Sequence, residues 1–323
     1  MTTVLCVGEC MLELRHIDPT TLQLGHAGDT YNTAVYLRRV ADALGIDVEV
    51  GYLTGLGSDE YSAGMRAAWA DEGVLDRSLL VDVHLPGLYT VRVDEHGERR
   101  FAYWRSASAA RTLFTGTDWV AQLVGDVIHL SGVTLQIASD NALHALYNRL
   151  RQLRANGAWI SLDTNYRPSG WASPEAAARA MDQISRVADV VFATFEDEEA
   201  MHRCRAVSDC AARLAALGVP EVIVKTGADG AHLLVDGQLR HVPAAPVDQV
   251  VDTTAAGDSF AGGYLAARLA GRSPGDAAAI AVNVAATVVA HPGAIIPPGV
   301  PLQPHSVRPD PERTETGATA DRP

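Results

Sequence analysis

Four short apolar runs constrain this chain most: Val127-Ile128-His129-Leu130, Trp159-Ile160-Ser161-Leu162, Val190-Val191-Phe192 and Val222-Ile223-Val224. Between them lie stretches with apolar residues at helical spacing, over 139–156, 174–187 and about 196–217. Strands that alternate with helices predict an α/β fold, doubly wound around a mostly parallel sheet. The connections of such a sheet are right-handed, and ligands bind beyond the C-terminal ends of its strands. The polar loops fall at those ends: Asp163 to Arg167, Thr194 to Glu199, Lys225 to Gly230, and 252–258.

The first third reads differently. Thr3 to Gly8 and Val48 to Leu53 are apolar strands, and Met11 to Arg15 is another strand. His26 to Ala34 reads as a small polar loop that opens a helix, with Val35, Leu37, Val40, Ala41 and Leu44 on one face. A helix follows over 59–72. Leu88 to Val93 and Arg99 to Trp104 alternate about a turn at Glu95-His96-Gly97, so they predict a hairpin. Its strands are too polar for the centre of a parallel sheet, which makes it a lid, with boundaries near 11–27 and 78–111. A second hairpin crosses Asp236-Gly237, and helices over 257–271 and 274–290 complete a single domain of residues 1–300. The segment 301–323 is rich in Pro, Thr, Glu and Asp and is expected to be disordered.

The chain has 323 residues, 47% hydrophobic and 20% charged, which suits a globular fold with a sizeable core. No apolar run reaches the roughly 20 residues of a membrane span. The start, Met1-Thr2-Thr3-Val4-Leu5, has no basic n-region and reads as a strand rather than a signal peptide. Cysteines 6, 10, 204 and 210 fit no disulfide framework or common zinc spacing and read as structural thiols. A cytoplasmic location follows. The net charge of −13 argues against nucleic acid and anionic membrane as partners. An anionic ligand would then need its own cations, and Arg99, Arg105, Arg167 and Lys225 are the candidates.

The stretch most charged with chemistry is Val251 to Phe260, VDTTAAGDSF. A loop of small residues lets a ligand approach the backbone, and the helix that starts there aims unpaired N–H groups and its positive dipole end at an anion. Asp258 at its mouth is either a helix cap or a base that takes a proton from an attacking hydroxyl. Lys225 to Ala231 supplies a second bend with two glycines. Glu196 to Glu199 is an acidic helix start. Tyr89, Tyr103, Arg105 and Arg167 suit a carboxylate or keto-acid group. The common nucleotide signatures are absent: no G-x-x-x-x-G-K-[ST] occurs, and Gly55-Leu56-Gly57 fails at the third glycine of the dinucleotide pattern.

DTTAAGD resembles the D-T-x-G-A-G-D signature of the ribokinase-like (PfkB) carbohydrate kinases, with Ala255 in place of the fourth-position Gly. GECMLEL, GDTYNTAVY, PGLYTVRVDEHGERRFAYWR, NYRP and GAIIP extend the resemblance to about residue 298, toward members that phosphorylate 2-keto-3-deoxy sugar acids. The resemblance implies a ribokinase-like α/β fold with a small β lid. It also implies transfer of the ATP γ-phosphoryl group to a primary hydroxyl of 2-keto-3-deoxygluconate, or of a neutral sugar such as fructose in the alternative reading. On that basis Asp258 is the base, kept ionised by the helix dipole, and the amides of Ala255, Ala256 and Gly257 form the anion hole. Gly28, Asp29 and Asn32 hold sugar hydroxyls, while Tyr89, Tyr103, Arg105 and Arg167 hold the acid end. Asn165, Arg167, Thr194, Lys225, Gly227, Gly230, Gly257 and Asn283 contact ATP. Glu199 reaches Mg²⁺ through water, Glu196 standing where relatives carry Asn, and Asp252 and Gly293 take a monovalent cation such as K⁺. The exposed strand edges of the lid predict a homo-oligomer.

Overall fold

A computed structural model describes residues 1–93 and 99–302. The expected turn at Glu95-His96-Gly97, the side chain of Arg99 and the tail from 303 to 323 lie outside the described residues. Leu302 is still buried, so packing continues past the expected start of the tail at 301.

The main sheet has nine strands. From edge to edge they are Gln238–Val242, Ala231–Val235, Glu221–Lys225, Val190–Thr194, Trp159–Asp163, Val127–Ser131, Thr2–Val7, Val48–Leu53 and Leu75–Asp76. All pairings are parallel except the two that join Ala231–Val235 to its neighbours. The four apolar runs of the sequence are adjacent strands, buried because helices cover both faces. One face packs on helices Asp29–Leu44, Ala256–Leu269 and Pro274–Val289. The other packs on helices Asp140–Ala155, Pro174–Ser185 and Val207–Ala216. Strand order reverses between Thr2–Val7 and Val127–Ser131, which opens a crevice at their C-terminal ends. Among the described residues no helix is long and apolar enough to cross a membrane.

Helices Asp29–Leu44 and Ala256–Leu269 touch backbone to backbone. A Cβ at Gly262 would lie 2.7 Å from the Thr33 carbonyl oxygen and 2.8 Å from the Leu37 nitrogen. Only glycine permits this approach, and it carries Asp258 to the first turn of the neighbouring helix.

A second sheet of four strands, in the order Leu22–Ala27, Met11–His16, Gly87–Val93 and Arg99–Trp104, stands over the crevice. The hairpin pairs Tyr89 with Tyr103 and Leu88 with Trp104. Its partner strand Met11–His16 runs parallel to Gly87–Val93. Leu22–Ala27 corrects the sequence reading, which places His26 and Ala27 in a loop. Its outward residues Leu22 and Leu24 are exposed, and the segment contains a glycine, so its alternation is weak. Helices Ala109–Thr115 and Gly132–Ile137 were also not anticipated; both are under three turns and too short to show a periodic stripe.

Candidate active site

Ala255 adopts a left-handed conformation (φ +60°) and turns the chain into the Ala256–Leu269 helix. Ala255, at the N-cap position, makes no side-chain capping bond. The Ala256 N–H leans on the Thr253 carbonyl at 3.3 Å, and the Ser259 N–H bonds to the Ala255 carbonyl at 2.8 Å. Among the described residues the amides of Ala255, Gly257 and Asp258 find no acceptor; of the three amides the sequence names, Ala255 and Gly257 are free and Ala256 is engaged with Thr253. Lys225 reaches the same point: a Cβ on Gly257 would lie 3.0 Å from its Nζ.

Asp258 Oδ2 accepts from Asn32 Nδ2 at 2.8 Å, and the Asp258 carbonyl accepts from the Thr33 hydroxyl at 3.2 Å. Asp29 is in turn held by Asn165, whose Nδ2 donates to Asp29 Oδ2 at 2.7 Å. Asp163, buried at the end of its strand, accepts from Lys225 Nζ at 2.7 Å. Asn32 with Asp258 and Asn165 with Asp29 thus form two hydrogen-bonded pairs around the first turn of helix Asp29–Leu44, and Asp163 and Lys225 a third pair close to them. Asn165, expected on the nucleotide, faces Asp29 instead.

The helix dipole does not keep Asp258 fully ionised. Burial, and next the negative charge of Asp29, push its carboxyl up to about 7; the Asn32 hydrogen bond and Lys225 only partly oppose them. The dipole acts through partial charges in one turn, whereas burial and a like charge act directly on the carboxylate.

Beside the helix start opens a cleft of about 580 Å³, lined by Thr194, Lys225, Gly227, Gly230, Thr253, Ala256, Gly257 and Phe260 on one side and Val282, Ala286 and Val289 on the other. It has the size and largely apolar walls of a small-molecule site. Gly230 adopts φ +102°, and a Cβ there would lie 2.2 Å from the Val242 carbonyl oxygen, so the loop wall needs glycine. Asn283 is not on the lining; its amide returns to the Ala279 carbonyl at 2.8 Å. Arg167 and Asn165 also lie outside the lining, Arg167 near Tyr103 of the lid and Asn165 on Asp29.

The lid brings aromatic rings over the crevice. Tyr89 and Tyr103 have ring centroids 5.8 Å apart, and Phe101 stacks on Tyr103 at 6.1 Å. Tyr89 is buried and its hydroxyl donates to Glu13. Tyr103 is half exposed. Burial raises its phenol, and the nearby positive charges of Arg167 and Arg105 oppose that rise. Arg105 pairs with the buried carboxylate of Glu9, which also accepts from Ser108. Arg105 therefore arrives already charge-compensated, and Arg167, exposed, is the less committed cation.

On helix Phe195–His202 the acidic run splits. Glu196 and Glu199 are exposed. Asp197 turns inward, accepts from the Tyr166 amide at 3.1 Å, and has its carboxyl raised by burial against the lowering effect of Arg167 and Lys225. Asp252 accepts from the Thr254 amide at 2.8 Å and from the Gly293 amide at 2.9 Å, so the structure joins those two positions. Glu9, Asp163 and Asp197 were missing from the sequence-based set. Asp163 and Asp197 were visible in polar loops at strand ends, but nothing in the sequence marks which acid of a run turns inward.

A model of the pfkB family carbohydrate kinase matches residues 1–300, and the chain belongs to that family. The chain is 42% identical over 300 residues to the 2-dehydro-3-deoxygluconokinase of Escherichia coli (strain K12), covering 90% of this chain and 96% of that protein. It is 41% identical over 307 residues to the 2-dehydro-3-deoxygluconokinase of Dickeya dadantii (strain 3937), covering 92% and 98%. The crystal structure of a fructokinase with bound ATP from Xylella fastidiosa superposes with a TM-score of 0.75 at 25% identity, covering 90% and 93%. The fold is ribokinase-like, a mostly parallel sheet between helices.

Proposed function

We propose that the protein transfers the γ-phosphoryl group of ATP to the primary hydroxyl of 2-keto-3-deoxygluconate (2-dehydro-3-deoxygluconate), forming 2-keto-3-deoxy-6-phosphogluconate. The observation that carries this reading is the position of Asp258. It stands where the cleft beside Gly257 meets the polar residues Asn32, Asp29 and Asn165 beneath the lid.

Phosphoryl transfer depends mainly on positioning and charge neutralisation. Lys225, Thr194, Gly227 and Gly230 hold the nucleotide along the cleft, and the amides of Gly257 and Asp258 face the transferring group. Asp29, Asn32 and Gly28 hold the acceptor's hydroxyls. Asp258, with its carboxyl near neutrality, takes the proton as the hydroxyl attacks. Asn32 fixes which carboxylate oxygen is free to do so. Tyr103 and Arg167, backed by Tyr89 and Arg105, hold the carboxylate and shut out water.

Mg²⁺ neutralises the phosphate charge when it arrives with ATP. Hard oxygen donors suit it, and Asp197 and, through water, Glu199 offer carboxylates on the nucleotide side. K⁺ would fall at Asp252 and Gly293, whose positions are joined by the bond from the Gly293 amide to the Asp252 carboxylate. Exposed Leu22, Leu24 and Trp104 support a homo-oligomer built through the lid. Four free, buried thiols accord with the cytoplasm.

The four relatives at 37–42% identity, all 2-dehydro-3-deoxygluconokinases, favour the sugar acid over fructose. The test is ADP release from purified protein with Mg²⁺-ATP against 2-keto-3-deoxygluconate, 2-keto-3-deoxygalactonate, fructose and ribose. A kcat/KM for the keto acids well above that for both neutral sugars is expected; equal or better use of fructose overturns the acid assignment.

A further inference from the structure

Away from the cleft, helix Phe195–His202, the turn after it and helix Val207–Ala216 enclose a small polar cluster. Glu198, Cys204 and Cys210 are 0%, 7% and 0% exposed. One ligand-type atom from each lies within 4.8 Å of the other two. Glu198 Oε2 is taken by Arg213, whose other terminal nitrogen donates to Asp182 Oδ1 at 2.6 Å. Glu198 Oε1, equally buried, has no hydrogen-bond partner among the described residues. His202, four residues on along the same helix, has its Nε2 buried without a hydrogen-bond partner among the described residues, 3.6 Å from Asp182 Oδ1. A carboxylate oxygen left bare at that depth is costly unless something meets it.

We propose that Glu198, Cys204 and Cys210 form a site for a thiophilic divalent cation, best matched by Zn²⁺. Two sulfurs and one oxygen select against Mg²⁺, which prefers oxygen alone, and suit zinc, which takes four ligands of mixed type. On binding, each thiol releases its proton to solvent and its sulfur forms a bond to the metal. Glu198 Oε1 is the third ligand and a water the fourth. One dication enters as two protons leave, so the net charge of the buried cluster is unchanged. Arg213 continues to balance Glu198 Oε2 and Asp182. In the metal-free protein, burial holds the Cys210 thiol in its protonated form, with the neighbouring Cys204 and Glu198 acting in the same direction and Arg213 against them. Arg203, Arg205 and Ala206, in the turn that carries Cys204, are exposed and give a route of entry. The bound ion ties the end of the helix that carries Asp197 to helix Val207–Ala216, so the site steadies one wall of the phosphate region from behind.

The test uses the full chain stripped with a chelator and titrated with Co²⁺ as a spectroscopic probe. The expected result is one cobalt per chain, with a near-ultraviolet sulfur-to-metal charge-transfer band and tetrahedral d–d bands that Zn²⁺ abolishes. Cys204→Ser and Cys210→Ser should each weaken binding by about 100-fold and Glu198→Gln by about 10-fold, while Cys6→Ser leaves it unchanged. Because serine at these buried positions could unfold the chain, the wild type is also alkylated with N-ethylmaleimide and mapped by mass spectrometry. Zinc should slow modification of Cys204 and Cys210 by at least about tenfold relative to Cys6 and Cys10. Absence of the charge-transfer band, its persistence in folded Cys204→Ser, or equal alkylation with and without zinc would each overturn the proposal. So would a Cys204–Cys210 disulfide that forms in air despite added zinc.

Discussion

Replacing Asp258 by asparagine should make the folded protein more stable as it removes the activity. The carboxyl moves from an ordinary 3.8 to about 7, because burial and the Asp29 charge disfavour its ionised form. A folded value above the unfolded one means that the folded state holds a proton the unfolded state has lost. Stability therefore falls as pH rises from about 4 to about 7, and levels off above that. At about 1.4 kcal/mol for each pH unit between the two values, the full penalty is about 4 kcal/mol, and about 2–3 kcal/mol once solvent contact with the half-buried group is allowed for. An asparagine side chain carries no such penalty, and its carbonyl oxygen can still accept from Asn32 Nδ2. Urea unfolding followed by tryptophan fluorescence, at pH 4.5 and pH 8 without ligands, measures this. The variant should exceed the wild type by about 2–3 kcal/mol at pH 8 and by much less at pH 4.5. Turnover should drop by about 10²–10⁴-fold, with nucleotide still bound. A variant no more stable than wild type at pH 8, or with the same difference at both pH values, would refute the electrostatic account. A near-normal kcat would refute the role of base.

Three further outcomes follow from the same geometry. Asp29→Asn removes the charge that raises Asp258, so the rising limb of the pH–rate profile should move to lower pH while the KM for the sugar acid increases; an unmoved limb counts against the coupling. Arg167→Ala should raise KM for 2-keto-3-deoxygluconate about 10-fold or more and leave KM for fructose nearly unchanged, as expected for loss of a charge-assisted contact; equal losses on both sugars would remove its carboxylate role. Gly230→Ala forces a methyl against the Val242 carbonyl at a positive φ, and should raise KM for ATP and cost about 1–3 kcal/mol of stability by calorimetry.

Most of the frame was legible because its signals are local. Val127-Ile128-His129-Leu130 and its three counterparts are buried on both faces, so they show as continuous apolar runs, and they prove to be neighbouring strands. The approach of Asp258 to Asn32 spans 226 residues and rests on Gly262, a residue that looks like any other small position in a helix. The protonation of Asp258 was misread because a dipole is visible in sequence and burial is not. Asp197 escaped notice for a similar reason: of four consecutive acids, the one that faces Tyr166 is decided by how the helix docks. Arg105 is paired with Glu9, which follows the first strand, far up the chain, and could not be matched to it in advance.

The alanine at position 255 carries one more consequence. A β-carbon in the left-handed region costs roughly 1 kcal/mol that glycine would not incur. Alanine also has fewer conformations to lose from the unfolded chain. The bend that leaves the Gly257 and Asp258 amides without acceptors is thus set by the chain itself, and in the proposed reaction the phosphate would meet a cradle already formed.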